Sequence, residues 1–476
     1  MSKIVNLLYL RNDLRLHDNE TLVSAIENAD QLIIVYCYDP RQYRMLPLGF
    51  RKTGYLRFRF LQACLEELSQ AIQQLGSRLI IRVGHAEDII PELATRYGVN
   101  KVYAQKEVAD EEVKVEQALA AHLSERNIEL ELVWGKTLYH IDDMPFAPEK
   151  TPITFKSFRN KITKKIRPRE LSPRPTTLPD SPVGRTGSHP SASELGFAEE
   201  QANQDISLYI PPGEKAALKR LEYYSFESDL ITRYKYTRNK SLGLDYSSKF
   251  SAYLSLGCLS PRQIYYTVKR YEREVKRNIS TWWLIFEVTW RDFFKFQCMR
   301  FGNLMFSTGG IRNRETAWIK DKGLFNRWKK GDTGIPFLDA HMRELSATGF
   351  MSNRGRVNAA SFLSKDYQID WRWGAAWFEH HLLDYDVCSN WINWNTQALE
   401  MYYTNPVHQA LKYDKKGEYT LTRLPELTSL PKPLYHAPWL LSEETREGHG
   451  VLAYNPPVEV YKKWGRAIAQ IKKAAS

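Results

Sequence analysis

The sequence predicts an α/β N-terminal domain, a Rossmann-like five-stranded parallel sheet, followed by a large all-α C-terminal domain. Three observations lead there. Five short apolar runs in the first 140 residues alternate with stretches of helical period, and crossovers of that length require parallel strands with helices on both faces. Beyond residue 213 the helical period dominates and no convincing strand reappears. Between the two, nine prolines fall from Pro145 to Pro190 among Ser, Thr and Gly, the composition of an extended connector. Domains are therefore expected at 1–140, 141–212 and 213–476.

In the first domain the strands are expected at 4–10, 31–39, 78–84, 101–105 and 128–134, and the helices at 20–29, 54–75, 86–97 and 110–126. No Gly-x-Gly-x-x-Gly follows the first strand. Arg11-Asn12-Asp13-Leu14-Arg15 stands there instead, so the nicotinamide-dinucleotide fingerprint is absent. The basic run 161–169 in the connector reads as a solvated face, with phosphate contact as the alternative. In the last domain Ser260-Pro261 is an N-cap with Pro at the first helical position, launching a helix over 262–275. Further helices are expected at 280–301, 336–348, 353–365 and 371–383, with Gly302 and Gly349 as stops.

Composition narrows the function classes. Lys and Arg number 67 against 55 Asp and Glu, a net charge of +12, which favours an anionic partner such as nucleic acid. The five cysteines form no Cys-x-x-Cys pair, so they read as buried thiols in a reducing compartment. Neither a signal-peptide pattern nor a membrane-length apolar run is present, and a cytoplasmic location with no membrane partner is expected. No Walker A loop, His-Glu-x-x-His or Gly-x-Ser-x-Gly occurs, and no metal site is expected, since His380 and His381 are adjacent and leave a helix on different faces.

The richest stretch is 353–395. Ten of the 13 Trp lie between Trp282 and Trp394, five of them from Trp371 onward. Each indole brings an N–H that needs a partner, so the clustering suits a site that stacks planar rings or relays electrons; a large aromatic helical core fits it too. Glu287, Trp290 and Arg291 are spaced i, i+3, i+4 and share one helix face, which also suits a plain Glu–Arg pair beside a core Trp. Asn353, Arg356 and Val357 repeat that spacing, with Arg354 beside them. Asp245 to Ser251 concentrates hydroxyls and backbone donors suited to a pyrophosphate. The residues alone reach a two-domain protein with an aromatic, polar pocket in its helical half.

Longer motifs reach further. FEVTWRDFF, DTGIPFLDAHMRELSATGFMSNRGR, DWRWGAAWFEHHLLDYDVCSNW and TNPVHQALKYD, with RNDLRLHDN and WGKTLYHIDDMPF, resemble the photolyase/cryptochrome family, its DASH branch most closely, over nearly the whole chain. The resemblance implies an antenna domain, a connector and a helical domain binding FAD. Carried over, Tyr234, Ser247, Ser248, Lys249, Phe250 and Ser251 would surround the FAD phosphates. Glu287, Arg291, Asn353 and Arg356 would line the pocket, Asp384 and Asp386 would lie near the ribityl chain and isoalloxazine, and Asn390 would lie at flavin N5. Arg356 would pair with Asp384. Trp394, Trp371 and Trp318 match the inner, middle and surface members of the family's electron relay.

The resemblance further implies a DNA partner, single-stranded by preference, and a monomer. A pyrimidine dimer flipped from the strand would meet Glu287, Trp290, Asn353, Arg354 and Val357, with Glu287 hydrogen-bonded to the dimer carbonyls. The expected activity is that of a deoxyribodipyrimidine photo-lyase, with a blue-light photoreceptor of little repair activity as the alternative. A folate antenna, 5,10-methenyltetrahydrofolate, would fall near Glu107 and Asp110. Two departures stand out: Val357 replaces the family's Met or Gln, and Thr396 follows Asn395 where an aromatic residue is usual. Tyr402 or Tyr403 is the nearest substitute for that wall.

Overall fold

The fold was read from a computed structural model that describes residues 3–163, 165–198 and 209–475. Lys164 of the basic run and 199–208 of the connector lie outside the described residues. Five strands form one sheet: β1 (Val5–Leu10), β2 (Gln31–Tyr38), β3 (Leu79–Val83), β4 (Lys101–Gln105) and β5 (Glu129–Val133). Their order is β3-β2-β1-β4-β5, and every neighbouring pair is parallel. Central strands of such a sheet are covered on both faces and are continuous apolar runs. β1 and β2 are accordingly buried almost throughout. The intervening helices, Glu20–Ile26, Tyr55–Gln74, Ala86–Arg96 and Asp110–Ser124, match the expected crossovers. Leu7, Ile33, Val35, Ile80, Ile90 and Val102 lie at the centre of this core.

Downstream the described chain is helical, with an isolated bridge between Ile319 and Ile369. The capping box at Ser260 forms with Gln263 and starts helix Pro261–Glu274. Gly349 ends helix Pro336–Thr348 at φ 68°, and Gly302 ends helix Ile279–Phe301. The helix expected over 353–365 is Asn353–Ser361 followed by a π turn, Phe362–Asp366. Several short helices went unread, among them Phe250–Leu256, Lys322–Lys330 and Val387–Asn395, because their apolar positions are too few to establish a period. The connector contains one as well: Thr154 caps helix Phe155–Ile162, which buries Phe155, Phe158 and Ile162.

Two compact units result, each drawn from separated segments. The first comprises Met1–Arg233, Ser248–Asn303 and Leu383–Ser389; the second comprises Tyr234–Ser247, Leu304–Leu382 and Asn390–Ser476. In the first, the segment after β1 ties the sheet to the helices that follow. Arg11 pairs with Glu116 at 2.6 Å, Arg15 donates to the Gly257 carbonyl at 2.9 Å, and Asp18 receives Arg262. Gly257 has a left-handed φ of 73°, and a Cβ there would stand 2.1 Å from the Asn12 carbonyl oxygen, so only glycine fits. In the second, Phe337, Tyr419, Leu424, Leu427 and Tyr435 belong to one core cluster.

Candidate functional site

In the first unit the working face belongs to helix Ile279–Phe301, whose start is capped by Asn278 with Thr281. One turn before Glu287, Trp283 donates its indole N–H to Glu287 Oε1 at 2.9 Å, which orients the carboxylate. Trp290 is half-buried, and Phe155 stacks on it at 3.7 Å and 13°. Arg291 turns its guanidinium to the carbonyls of Lys136 and Leu254. Asp292 is fully buried and accepts the N–H groups of Leu138 and Tyr139, each at 3.0 Å. Burial pushes its carboxyl up to about 7 against those two donors.

Lys295, one turn further on, is 1% exposed and reaches Asp386 Oδ2 at 2.5 Å. Burial opposes charge on Asp386, but the Lys295 ammonium, then Arg291, hold its carboxyl far below the usual carboxylate range. Asp384 is half-buried two residues earlier. Of the expected phosphate contacts in this unit, Ser248, Lys249 and Phe250 are buried and Ser251 is exposed. Lys249 adopts a left-handed φ of 63° ahead of helix Phe250–Leu256, and the Ser248 carbonyl accepts from Arg220 at 3.1 Å.

The two expected antenna residues have other commitments. Glu107 is 3% exposed and carries an ion pair with Lys136, itself buried. Asp110 lies at the start of its helix, bonded to Lys114 at 2.7 Å and to Asn303 at 2.9 Å.

In the second unit, helix Asn353–Ser361 carries Asn353, Arg354, Arg356 and Val357. Ser352 caps it by accepting from the Gly355 N–H at 3.1 Å. Gly355 lets the helix approach His341: a Cβ would stand 2.1 Å from His341 Cδ2. Asn353 is exposed, and Arg356 donates Nε to the Met351 carbonyl at 2.9 Å. Arg354 reaches Asn239 Oδ1 at 2.9 Å and Gln409 Oε1 at 3.3 Å, its guanidinium over the Tyr413 ring. It is therefore braced, not a swinging surface cation. Tyr234 is buried and Ser247 half-buried. Asn390 donates Nδ2 to the Ala375 carbonyl at 3.0 Å, so its Oδ1 is the remaining acceptor.

The three expected relay indoles gather in this unit. Trp394 is 3% exposed and packs on Gly374, where a Cβ would stand 2.3 Å from its ring. Gly374 lies on helix Trp371–His381, one turn from Trp371. Trp371 and Trp318 each donate to the Thr308 carbonyl, at 3.1 and 3.3 Å. Thr396 opens a π turn, Thr396–Glu400. Neither nearby tyrosine stands as the missing aromatic wall. Tyr403 donates to Asp366 at 2.9 Å and accepts from Trp464 at 2.8 Å, while Tyr402 is 93% exposed.

Sequence reasoning missed Trp283, Lys295, Asp292, Phe155 and Thr308. Lys295 had a legible signal, a lone lysine amid Phe293, Phe294 and Phe296 at helical spacing from Arg291. Trp283 had one as well, standing four residues before Glu287 on the same helix; Asp292 and Phe155 act through tertiary contacts, and Thr308 acts through its backbone, which no motif records. All five cysteines are buried and free. Among the described residues no cluster of His, Cys, Asp and Glu is fit to hold a metal, and no helix is long and apolar enough to cross a membrane.

Comparison with known proteins gives the family. Residues 6–180 match the family model for DNA photolyase, and residues 283–473 match the model for the FAD binding domain of DNA photolyase. A helical FAD-binding domain after a parallel-sheet domain is thus the class of protein the fold defines. The chain is 44% identical to the cryptochrome DASH of Gloeobacter violaceus over 457 residues, covering 95% of this chain and 91% of that one. The crystal structure of a Synechocystis sp. cryptochrome superposes with a TM-score of 0.92 at 42% identity, covering 99% of this chain and all of that one. A class III photolyase from Agrobacterium tumefaciens gives a TM-score of 0.86 at 26% identity, with 99% and 98% covered. The chain belongs to the photolyase/cryptochrome family, in its cryptochrome DASH branch.

Proposed function

We propose that this protein is a blue-light-dependent DNA photolyase of DASH type that splits cyclobutane pyrimidine dimers, preferring single-stranded DNA. Within the first unit the donor set suits FAD: buried Ser248 and Lys249, the Arg291 guanidinium and the anionic Asp386. Within the second, Tyr234, Ser247, Asn353, Arg356 and Asn390 are side chains of the same character, and the Asn390 amide oxygen is suited to accept a hydrogen bond. Bound FAD, when reduced and excited, supplies the electron that opens the cyclobutane ring. A folate antenna fits less well, because the carboxylates of Glu107 and Asp110 already have cationic or amide partners, and no step is assigned to it.

The observation that carries this reading is the fixed geometry of Glu287 and Trp290. Trp283 holds the Glu287 carboxyl group in one orientation, so that it would hydrogen-bond the dimer carbonyls without reorganising, the condition for electrostatic stabilisation of the charge they acquire. Phe155 stacks on Trp290, with Phe293 and Phe294 beside it, and the exposed part of the half-buried indole would stack on a flipped base, a contact worth about 1–3 kcal/mol. The net charge of +12 favours the phosphate backbone. Trp394, Trp371 and Trp318 would serve as the inner, middle and surface members of an electron relay to the cofactor.

The photoreceptor alternative draws on Thr396. With Tyr403 held by Asp366 and Trp464 and Tyr402 in solvent, the dimer loses one stacking partner. The test is anaerobic blue-light repair of a thymine-dimer oligonucleotide, single-stranded and duplex in parallel, with chemically reduced protein. Turnover on single strands that falls in Glu287→Gln while FAD stays bound is the expected result. No turnover with FAD bound and reduced would favour the photoreceptor.

A further inference from the structure

A buried lysine amid phenylalanines needs a reason. Lys295 is 1% exposed on helix Ile279–Phe301, and its ammonium meets Asp386 Oδ2 at 2.5 Å. The other carboxylate oxygen, Oδ1, accepts the Ser389 N–H at 2.9 Å and the Ser389 hydroxyl at 2.7 Å. Both oxygens are thus engaged, and the carboxylate has one orientation at the start of helix Val387–Asn395. The neighbouring cations point elsewhere: Arg291 binds the carbonyls of Lys136 and Leu254, and Lys136 pairs with Glu107. Among the described ion pairs, Lys295 is the partner of Asp386.

Such a pair is a poor device for stability alone. Each buried ion loses several kcal/mol of hydration, on the order of what the pairing returns, and well-packed apolar residues often serve as well. A carboxylate locked in charge and direction has a use where a ligand must feel that charge. We propose that Lys295 is a positioning residue for the flavin: it holds Asp386 as an oriented anion whose charge sets the affinity and the redox potential of bound FAD. The inference deepens the reading of this chain as an FAD protein and rests on it.

Three full-length variants test it: Lys295→Met, Lys295→Arg and Asp386→Asn. FAD is titrated into protein stripped of flavin, the midpoint potential of the reloaded protein is measured, and thermal melting reports folding. Lys295→Met is expected to raise the Kd for FAD roughly tenfold or more and to move the potential negative, since a cation is lost. Lys295→Arg is expected to keep both near the parent values. Asp386→Asn, which leaves the ammonium uncompensated, is expected to move the potential positive. A Lys295→Met protein that melts earlier yet keeps the parent Kd and potential would make the pair merely structural and overturn the inference, as would shifts of the same sign in Lys295→Met and Asp386→Asn. Failure of the parent protein to take up FAD would overturn the underlying reading, and it would show before any variant is compared.

Discussion

The indole N–H groups of Trp318 and Trp371 converge on one atom, the carbonyl oxygen of Thr308, at 3.3 and 3.1 Å. A short parallel bridge holds them there: Ile319 N–H donates to the Gln368 carbonyl at 2.8 Å, and Asp370 N–H donates to Ile319 at 3.3 Å. Trp318 immediately precedes the bridge on one strand, and Trp371 follows it on the other. Two rings far apart in sequence are thus registered by backbone.

If these indoles relay electrons, Trp371→Phe and Trp318→Phe are each expected to slow photoreduction of bound FAD by roughly tenfold or more, equivalent to at least about 1.4 kcal/mol on the barrier. Chemical reduction should be unchanged. Trp328 also touches Trp394, at 6.1 Å between centroids, but lies outside the series. Trp328→Phe should therefore keep photoreduction while lowering the melting temperature. Bleaching at the flavin absorbance maximum under anaerobic blue light measures all three.

Gly355 is the seat of helix Asn353–Ser361. A methyl group there would meet His341 Cδ2 at 2.1 Å and Met351 Cγ at 2.7 Å, and His341 is fully buried with little freedom to yield. Gly355→Ala is expected to cost about 1–3 kcal/mol by overpacking, read from urea unfolding. It should weaken FAD retention with it, because Arg356 rides on the displaced helix.

His341 gives stability a pH dependence. Its Nδ1 bonds the Phe337 carbonyl at 2.7 Å and its Nε2 faces the Ser241 hydroxyl at 3.1 Å. Burial pushes the ring down to about 4 from 6.5, the Phe337 bond opposing and Arg423 adding to the shift. Between pH 6.5 and 4 the unfolded chain binds a proton that the native ring refuses. Stability therefore falls as pH drops through that window, by on the order of 3 kcal/mol in all, and this group leaves it flat above. His341→Asn cannot ionise there and should flatten the slope in denaturant titrations from pH 4 to 7.

Phe155 is 7% exposed and packs edge-on against Phe286 and Phe293 as well as face-on with Trp290. Phe155→Ala is expected to cost about 3 kcal/mol. Trp290 would lose its stacking support, and dimer repair would fall further than FAD content does. Melting temperature, flavin absorbance and oligonucleotide repair together separate these effects.

The parallel sheet was legible because its signal is local: an apolar run of strand length, then a helical period, five times over. The long helices were legible for the same reason, and the caps at Ser260 and Asn278 show how little besides local hydrogen bonding starts them. Phe250–Leu256 and Val387–Asn395 were not, since seven to nine residues carry too few apolar positions to reveal a period. At the site, the sequence by itself determined which side chains are present and that Glu287, Trp290 and Arg291 share a helix face. Only tertiary structure decided their work. Arg291 looked like the partner of Glu287, yet it binds the carbonyls of Lys136 and Leu254, which leaves Glu287 to Trp283 one turn back on the same helix. Lys295 finds Asp386 from a distant segment, and Trp318 finds Trp371 through Thr308. Spacing along a helix reports which groups share a face; which group a buried charge or N–H meets depends on whichever segment packs there to satisfy it.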